Sequence, residues 1–314
     1  MIATEVAGLL GVGAETARGV REQVTGTRDR AHHRYPMRLV VWFVKALTYA
    51  LDRIGAVIVR AQIVLSGTLP ALLPPEELMR LLGDYYVRSY SNLAVESGSE
   101  ELQWTLVPWE QYMVAKHMPQ KGSVLVLGAG YGRESVAFAL NGYRVVGLDT
   151  NRDALLVATR QAATENVEAS FIQADFLALP LLPKQFDYIL VSGLMFSSVS
   201  GTQRRQAWVR TLLASVRKEG TVVLNFATAR EMHTKTRQFI QRINRWLVRL
   251  PGANREYQPG DSFLQGHFMH GFLDEQEMRA ELTEAGALII DIDWTNGVAV
   301  ISSPDRPCQS ADSK

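Results

Sequence analysis

Cysteine is nearly missing from this chain of 314 residues: one residue, Cys308, sits in a polar tail. That excludes a disulfide framework and a cysteine-based zinc site, and it agrees with a reducing compartment. An excess of charge of either sign is missing too. The net charge is +1, so any affinity for nucleic acid or acidic membrane has to be local rather than global. No uncharged apolar run approaches the roughly eighteen residues of a membrane span. The first residues, Met1-Ile-Ala-Thr-Glu-Val, lack the basic segment of a secretory signal, so none is expected. What is present, 47% hydrophobic and 21% charged residues, is the composition of an ordinary globular protein. Its length accommodates one large domain with an extension, or two modest ones.

The most informative stretch is Ser123-Val-Leu-Val-Leu-Gly-Ala-Gly-Tyr-Gly-Arg-Glu-Ser135. An apolar run breaks into three alternating glycines and continues into a helical pattern. Strand, glycine turn and helix bring a ligand close to bare backbone at a helix N-terminus. A dinucleotide fingerprint places its third glycine one residue further along than a G-x-G-x-G run does. That place holds Arg133 here, and the third glycine is Gly132. No Gly-Lys-Ser/Thr follows, which removes a P-loop. Arg133 keeps a phosphate contact open.

Upstream, residues 1–36 read as a flexible basic arm, with arginines at 18, 21, 28, 30 and 34 followed by Arg38. Residues 37–66 read as an amphipathic helix with a very wide apolar face. Lys45, Asp52, Arg53 and Arg60 recur at separations that return them to one side, and Arg38 joins them. Three fates are open to it: packing on the main domain, a dimer contact, or lying in a membrane interface with the upstream arginines on anionic headgroups. It is not expected to span. Residues 67–75 punctuate the chain, and Pro75 suits the first turn of a following helix. That helix, Glu76–Tyr90, carries Tyr85, Tyr86 and Tyr90, either covering the site or packing. Residues 37–103 together read as an N-terminal helical extension, and helix Trp104–His117 opens the domain and leads into the glycine unit.

From 123 onward apolar strands alternate with helical patterns, which predicts a mostly parallel sheet covered on both faces. The expected strands are Val124–Leu127, Arg144–Leu148, Ala169–Gln173, Phe186–Ser192, Thr221–Phe226, Leu288–Trp294 and Val298–Ser302. The expected helices between them are Glu134–Leu140, Arg152–Glu165, Gln203–Val216 and Glu275–Ala285. Thr295-Asn-Gly297 is a hairpin signal, so the last strand should run antiparallel. Residues 303–314 read as a disordered tail.

In an open α/β sheet, ligands sit at the carboxyl ends of the strands. The second strand ends at Asp149, where a carboxylate can accept two hydrogen bonds from a ribose diol. Its alternative role, an N-cap, falls equally well to Thr150 or Asn151. The third strand ends in Asp175-Phe176, a carboxylate beside an aromatic ring. The fourth ends Val-Ser192-Gly-Leu-Met-Phe196.

Taken together, Leu127-Gly-Ala-Gly-Tyr-Gly132, Val145-Val-Gly-Leu-Asp149, Ala174-Asp175-Phe176, Phe186-Asp-Tyr-Ile-Leu-Val and Arg217-Lys-Glu-Gly-Thr-Val-Val-Leu-Asn225 resemble the class I S-adenosylmethionine-dependent methyltransferases. The resemblance covers residues 104–302. It implies a doubly wound α/β fold with seven strands in the order 3-2-1-4-5-7-6, the seventh antiparallel. It implies S-adenosyl-L-methionine as cofactor, with Gly128, Ala129, Gly130 and Gly132 at its methionine part and Asp149 at the ribose. Asp175 and Phe176 then meet the adenine, and the adjoining Thr150 and Ser192 complete the set. Methyl transfer from a sulfonium requires mainly proximity and orientation, so no catalytic dyad has to appear in the sequence.

The acceptor side is less patterned. Residues 227–270 form a long excursion in which Met232–Leu250 is an amphipathic helix, either a substrate lid or a solvated surface. The apolar side of that helix reads Phe239, Ile240, Ile243, Trp246, Leu247 and Leu250. His267 and His270 are candidate base or substrate contacts. Two histidines without a carboxylate partner do not make a metal site, so none is expected. The leading expectation is methyl transfer to a small or lipid-like acceptor in the cytoplasm, with peripheral contact to the inner membrane face through residues 18–66 and no specific nucleic-acid partner. The alternatives are a tRNA or other RNA methyltransferase, and a non-catalytic cofactor-binding protein on a membrane surface.

Overall fold

The computed structural model describes residues 34–96, 104–178, 183–229, 235–264 and 266–304. The expected basic arm up to residue 33 and the tail from residue 305 lie outside the described residues. The chain divides into two compact units, Met1–Val59 and Arg60–Lys314, and each is described by itself.

The first unit is represented by one helix. Helix α1 runs Arg34–Leu72, 39 residues, longer than the expected 37–66. Its side chains from Leu39 to Val59 are exposed. Within it the Arg53 guanidinium donates to the Tyr49 hydroxyl at 2.9 Å and lies over the Tyr49 ring. By length and composition alone, Leu39–Leu72 is able to cross a membrane.

In the second unit, the last turns of α1 pass through the residues expected to stop it. A Cβ on Gly67 would lie 2.9 Å from the Ile240 side chain, so glycine there admits helix α8 (Lys235–Leu247) rather than ending α1. The carbonyls of Pro70 and Ala71 look one turn ahead to Pro74 and Pro75, which have no N–H to give. Asn254 replaces both donors, its Nδ2 reaching Pro70 O at 2.7 Å and its backbone N–H reaching Ala71 O at 3.0 Å. Asn244 Nδ2 donates to Gly67 O at 2.9 Å.

Helix α2 follows at Pro75–Glu96 and α3 at Pro108–His117. The latter starts four residues later than the expected Trp104 because Pro108 sets its first turn. Glu110 fixes that start by accepting the Val107 N–H at 2.8 Å.

The sheet holds β1 (Ser123–Leu127), β2 (Arg144–Asp149), β3 (Ala169–Gln173), β4 (Phe186–Val191), β5 (Val216–Asn225), β9 (Leu288–Asp293) and β10 (Val298–Ser302). Their order is β3-β2-β1-β4-β5-β10-β9. The first five run parallel, and β10 runs antiparallel to both β5 and β9. This is the expected seven-stranded order with its antiparallel last strand. Helices α4 (Arg133–Leu140), α5 (Arg152–Thr164), α7 (Thr202–Ser215) and α9 (Glu275–Glu284) cover it. A single turn, α6 (Met195–Ser198), follows β4. Along β1, Leu125 and Leu127 enter one apolar cluster while Val124 and Val126 enter another. Burial on both faces explains the unbroken apolar run of a central parallel strand.

The excursion after β5 builds a second sheet that the sequence reading did not contain. Strands β6 (Ala227–Thr228), β7 (Asp261–Leu264) and β8 (His267–Phe272) take the order β6-β8-β7. The burial of β8 alternates at first, with Phe268 and His270 buried and His267 and Met269 half-buried. Helix α8 is turned from the expected face. Ile240 and Asn244 are buried, whereas Phe239 and Trp246 lie exposed. The Asn244 bond to Gly67 selects that rotation.

Candidate active site

Three strands meet where the glycine loop begins. Leu127 at the end of β1 pairs with Leu148 of β2 and Val191 of β4, so residues just beyond each strand converge. The loop folds back onto β2, with Gly128 N and Ala129 N both donating to Leu148 O at 2.9 Å. Gly128 and Gly132 have φ of 76° and 90°, which an L side chain adopts only with strain. Space forbids a side chain as well. A Cβ on Gly132 would lie 2.8 Å from the Ala158 Cβ, and one on Gly128 would fall on the Met195 sulfur.

Asp149 is almost entirely buried. Its carboxylate accepts the Gly130 N–H at 2.9 Å and the Asn151 N–H at 2.8 Å. Burial pushes its pKa up, and the backbone donors of Asn151, Gly130 and Thr150 only partly offset this. Helix α5 is capped by Asn151, whose side chain accepts the Ala154 N–H at 2.9 Å. Asp149 is therefore released from the capping role.

Gly128, Asp149, Thr150, Phe176 and Ser192 line one cavity, joined by Tyr86, Gly193 and Met195. Its free volume is about 70 Å³, small because the Met195 thioether lies against Gly128. Ser192 donates to Glu134 at 2.5 Å. Phe176 packs on Trp208 with ring centres 5.1 Å apart. Tyr86 bonds Ser198 through its hydroxyl, and burial raises its pKa.

The other expected residues fall elsewhere. Ala129 is buried inside the loop. Asp175 is exposed, and its carboxylate closes a turn by accepting the Leu177 N–H at 2.9 Å; it is not part of the cavity wall. Arg133 does not wait for a phosphate. It forms a two-pronged pair with Glu110, at 2.8 and 2.7 Å, and reaches Glu134 at 2.6 Å.

The two histidines part company. His267 stacks on Tyr85, ring centres 4.4 Å apart, and Tyr85 adjoins Tyr86 of the cavity wall. His270 is wholly buried, its Nδ1 on Asp261 at 2.8 Å and its Nε2 3.6 Å from Glu277. The expectation of lone histidines fails here, because β7 and α9 bring His270 two carboxylates. Burial and the Arg205 guanidinium pull the His270 pKa down, but Asp261 and Glu277 outweigh them and the net shift is upward. Enclosed in this way, His270 ties β8 to β7 and α9 rather than meeting an acceptor. Among the described residues, no group of three or more His, Cys, Asp and Glu side chains is placed to hold a metal ion.

The sequence places Gly193 and Met195 at the end of the fourth strand without giving either a role, and it does not reveal the Glu110–Arg133–Glu134 cluster. Glu110 lies 23 residues before Arg133, and nothing local announces the pair.

Residues 124–220 match the family model described as a methyltransferase domain. Thiocyanate methyltransferase 1 of Brassica oleracea is 26% identical over 167 residues, which cover 48% of this chain and 67% of that protein. Among solved structures, the Burkholderia thailandensis 1,6-didemethyltoxoflavin-N1-methyltransferase, with its substrate and S-adenosylhomocysteine bound, aligns with a TM-score of 0.52. It is 17% identical, over 74% of this chain and 91% of that one. A methyltransferase from Methanosarcina mazei aligns with a TM-score of 0.48 at 19% identity, over 63% of this chain and 98% of that one. The domain match, the sheet order and the glycine loop at the head of β1 agree: the chain belongs to the class I S-adenosylmethionine-dependent methyltransferases, with S-adenosyl-L-methionine as its cofactor.

Proposed function

We propose that this methyltransferase transfers its methyl group to a small or amphiphilic molecule. The observation that carries the reading is the cover over the cofactor cavity. Helix α2 puts Tyr86 into the cavity wall and lays Tyr85 on His267 of β8. Such a closed wall favours a compact acceptor over a folded macromolecule. The Brassica relative points the same way, being named for a small anion.

The residues present suit the cofactor. The bare backbone of Gly128 and Gly132, where a Cβ has no room, allows a ligand to approach the loop closely. The Asp149 carboxylate keeps acceptor capacity beyond its backbone donors for a ribose diol. Phe176 and Thr150 flank the adenine end, and Ser192 with Glu134 the methionine end. Met195, whose sulfur lies against Gly128, has an unbranched side chain adaptable enough to make way for a ligand there. When bound, S-adenosylmethionine supplies a methyl group on a good leaving group. What remains for the chain is to hold the acceptor in line and exclude water. His267, half-buried beside Tyr85, is our candidate to take a proton if the acceptor must lose one.

The amphiphilic half of the reading is supported by a second cavity of about 460 Å³ in the same unit. Ile63, Ile240 and Phe263 form its apolar walls, and Arg60 and Arg237 stand beside them. An apolar tail with an anionic group fits that chemistry. The test is incubation with methyl-labelled S-adenosylmethionine and an extract split into lipid, small-molecule, RNA and protein fractions. Label in the lipid or small-molecule fraction supports the proposal. Label confined to RNA or protein overturns it.

A further inference from the structure

Helix α1 leaves an apolar surface that the cofactor site does not use. At 100° per residue, Phe43, Leu47, Ala50, Ile54, Val57, Ile58, Ala61 and Leu65 share one side with Leu39. No charge interrupts that side over its whole length. Lys45, Asp52, Arg53 and Arg60 all fall on the other. The apolar side is open: Phe43 is 62% exposed, Ile54 56% and Val57 63%, and the neighbouring Trp42 is 67% exposed. A stripe of this kind has to be covered by something.

A spanning helix does not fit the structure. The least charged part of α1 is its last third, and that part is docked by polar bonds: Asn244 donates to Gly67 O, and Asn254 donates to Pro70 O through its side chain and to Ala71 O through its backbone N–H. The rest carries Lys45, Asp52 and Arg53 near its middle, where a bilayer centre disfavours charge. A lengthwise apolar stripe opposite a cationic one is the pattern of a helix lying in the interface plane. Lys45, Arg53 and Arg60 against Asp52 leave that polar side cationic. The sequence adds Arg34 and Arg38 at the start of the helix and four more arginines between 18 and 30. Their complement is a negatively charged lipid surface.

We propose that α1 docks the protein on the surface of an anionic phospholipid bilayer, apolar stripe down, without crossing it. This does not rest on the nature of the methyl acceptor.

The test is flotation of the full chain with phosphatidylglycerol-containing and pure phosphatidylcholine vesicles. Wild type should float with the anionic vesicles and much less with the neutral ones. Lys45→Gln with Arg53→Gln should weaken anionic binding by about fivefold per cation removed. Phe43→Ser with Ile54→Ser should abolish it. All these side chains are exposed, so binding of S-adenosylhomocysteine should stay at the wild-type level in each variant. As a readout that needs no disruptive variant, brominated lipid should quench the fluorescence that Trp42→Phe removes. Two results overturn the proposal. One is wild type remaining unbound by anionic vesicles. The other is a stable lipid-free dimer that Phe43→Ser with Ile54→Ser turns into monomer, which would assign the stripe to a second copy of the chain.

Discussion

Replacing Asp149 with asparagine separates the two tasks assigned to its carboxylate. One oxygen accepts the Gly130 N–H and the other the Asn151 N–H, while the remaining lone pairs are offered to a ribose diol. Asparagine has one acceptor oxygen, so its amide NH₂ must face one of the two backbone donors. An unpaired buried donor costs about 1–3 kcal/mol, and the variant without ligand should be less stable by that amount. Hydrogen bonds to a charged group contribute about 1.5–3 kcal/mol each. Losing the charge and one of two ribose contacts should therefore weaken S-adenosylhomocysteine by about 2–4 kcal/mol, roughly thirty- to several-hundred-fold in Kd. Titration calorimetry measures this directly, and pH sharpens it. Burial raises the Asp149 pKa, so the folded apoprotein favours the protonated form. The corresponding stability is fully present below the ordinary carboxylate value and is lost as pH rises through the raised one. Ligand binding runs the other way, because the diol needs the ionised form, so affinity should fall as pH drops through the same range. The variant should show neither trend. An Asp149→Asn protein that melts cooperatively and binds S-adenosylhomocysteine within threefold of wild type would refute the ribose assignment.

Other consequences are equally open to measurement. Gly132→Ala forces a side chain onto a φ of 90° and to within 2.8 Å of the Ala158 Cβ; urea unfolding should show a loss of about 2–4 kcal/mol. Arg205 is wholly buried and bonds both oxygens of Glu281, at 2.6 and 2.8 Å. Arg205→Ala strands a buried carboxylate and should cost about 3–5 kcal/mol, whereas Arg205→Met combined with Glu281→Leu should recover most of it. The fold raises the His270 pKa through Asp261 and Glu277, so this stabilisation is complete below the ordinary imidazole value and disappears as pH rises through the raised one. The urea midpoint of wild type should decline across that interval, and His270→Gln should flatten the decline.

The glycine loop was legible because its backbone demands glycine, with positive φ and no room for a Cβ at Gly128 and Gly132. A loop that must approach a ligand and also pack on Ala158 has few alternatives to glycine, and that need is written into consecutive residues. Asp149 was legible for a related reason: a strand end is a fixed place, and a carboxylate there can be counted from the loop. Where side chains from distant segments share the work, the sequence is silent. Glu110 caps its own helix and also holds Arg133, so its local pattern describes the first task alone. His270 looked like a loop histidine because the strand that brings it Asp261 begins six residues before the one that carries it, with no turn signal strong enough to declare the pair.

Helix α1 shows how a sound local rule can be overruled. Glycine at 67 and prolines at 70, 74 and 75 all argue for a helix end near 66, since each weakens or removes a backbone hydrogen bond. The chain nonetheless stays helical to Leu72. Glycine there removes the one side chain that would hold α8 away, and Asn254 gives Pro70 and Ala71 the two donors the later prolines lack. Both compensations come from the excursion after β5, more than 170 residues away. The residues that seemed to separate the helix from the domain are the ones that fasten it there. Replacing Asn254 with leucine tests this: two carbonyl partners would become one, since the backbone donor remains, and at about 1–3 kcal/mol for a buried group left unpaired the last turn of α1 should lose amide-exchange protection. Protection unchanged from Gly67 to Leu72 would mean that packing against Ile240 alone holds the helix together.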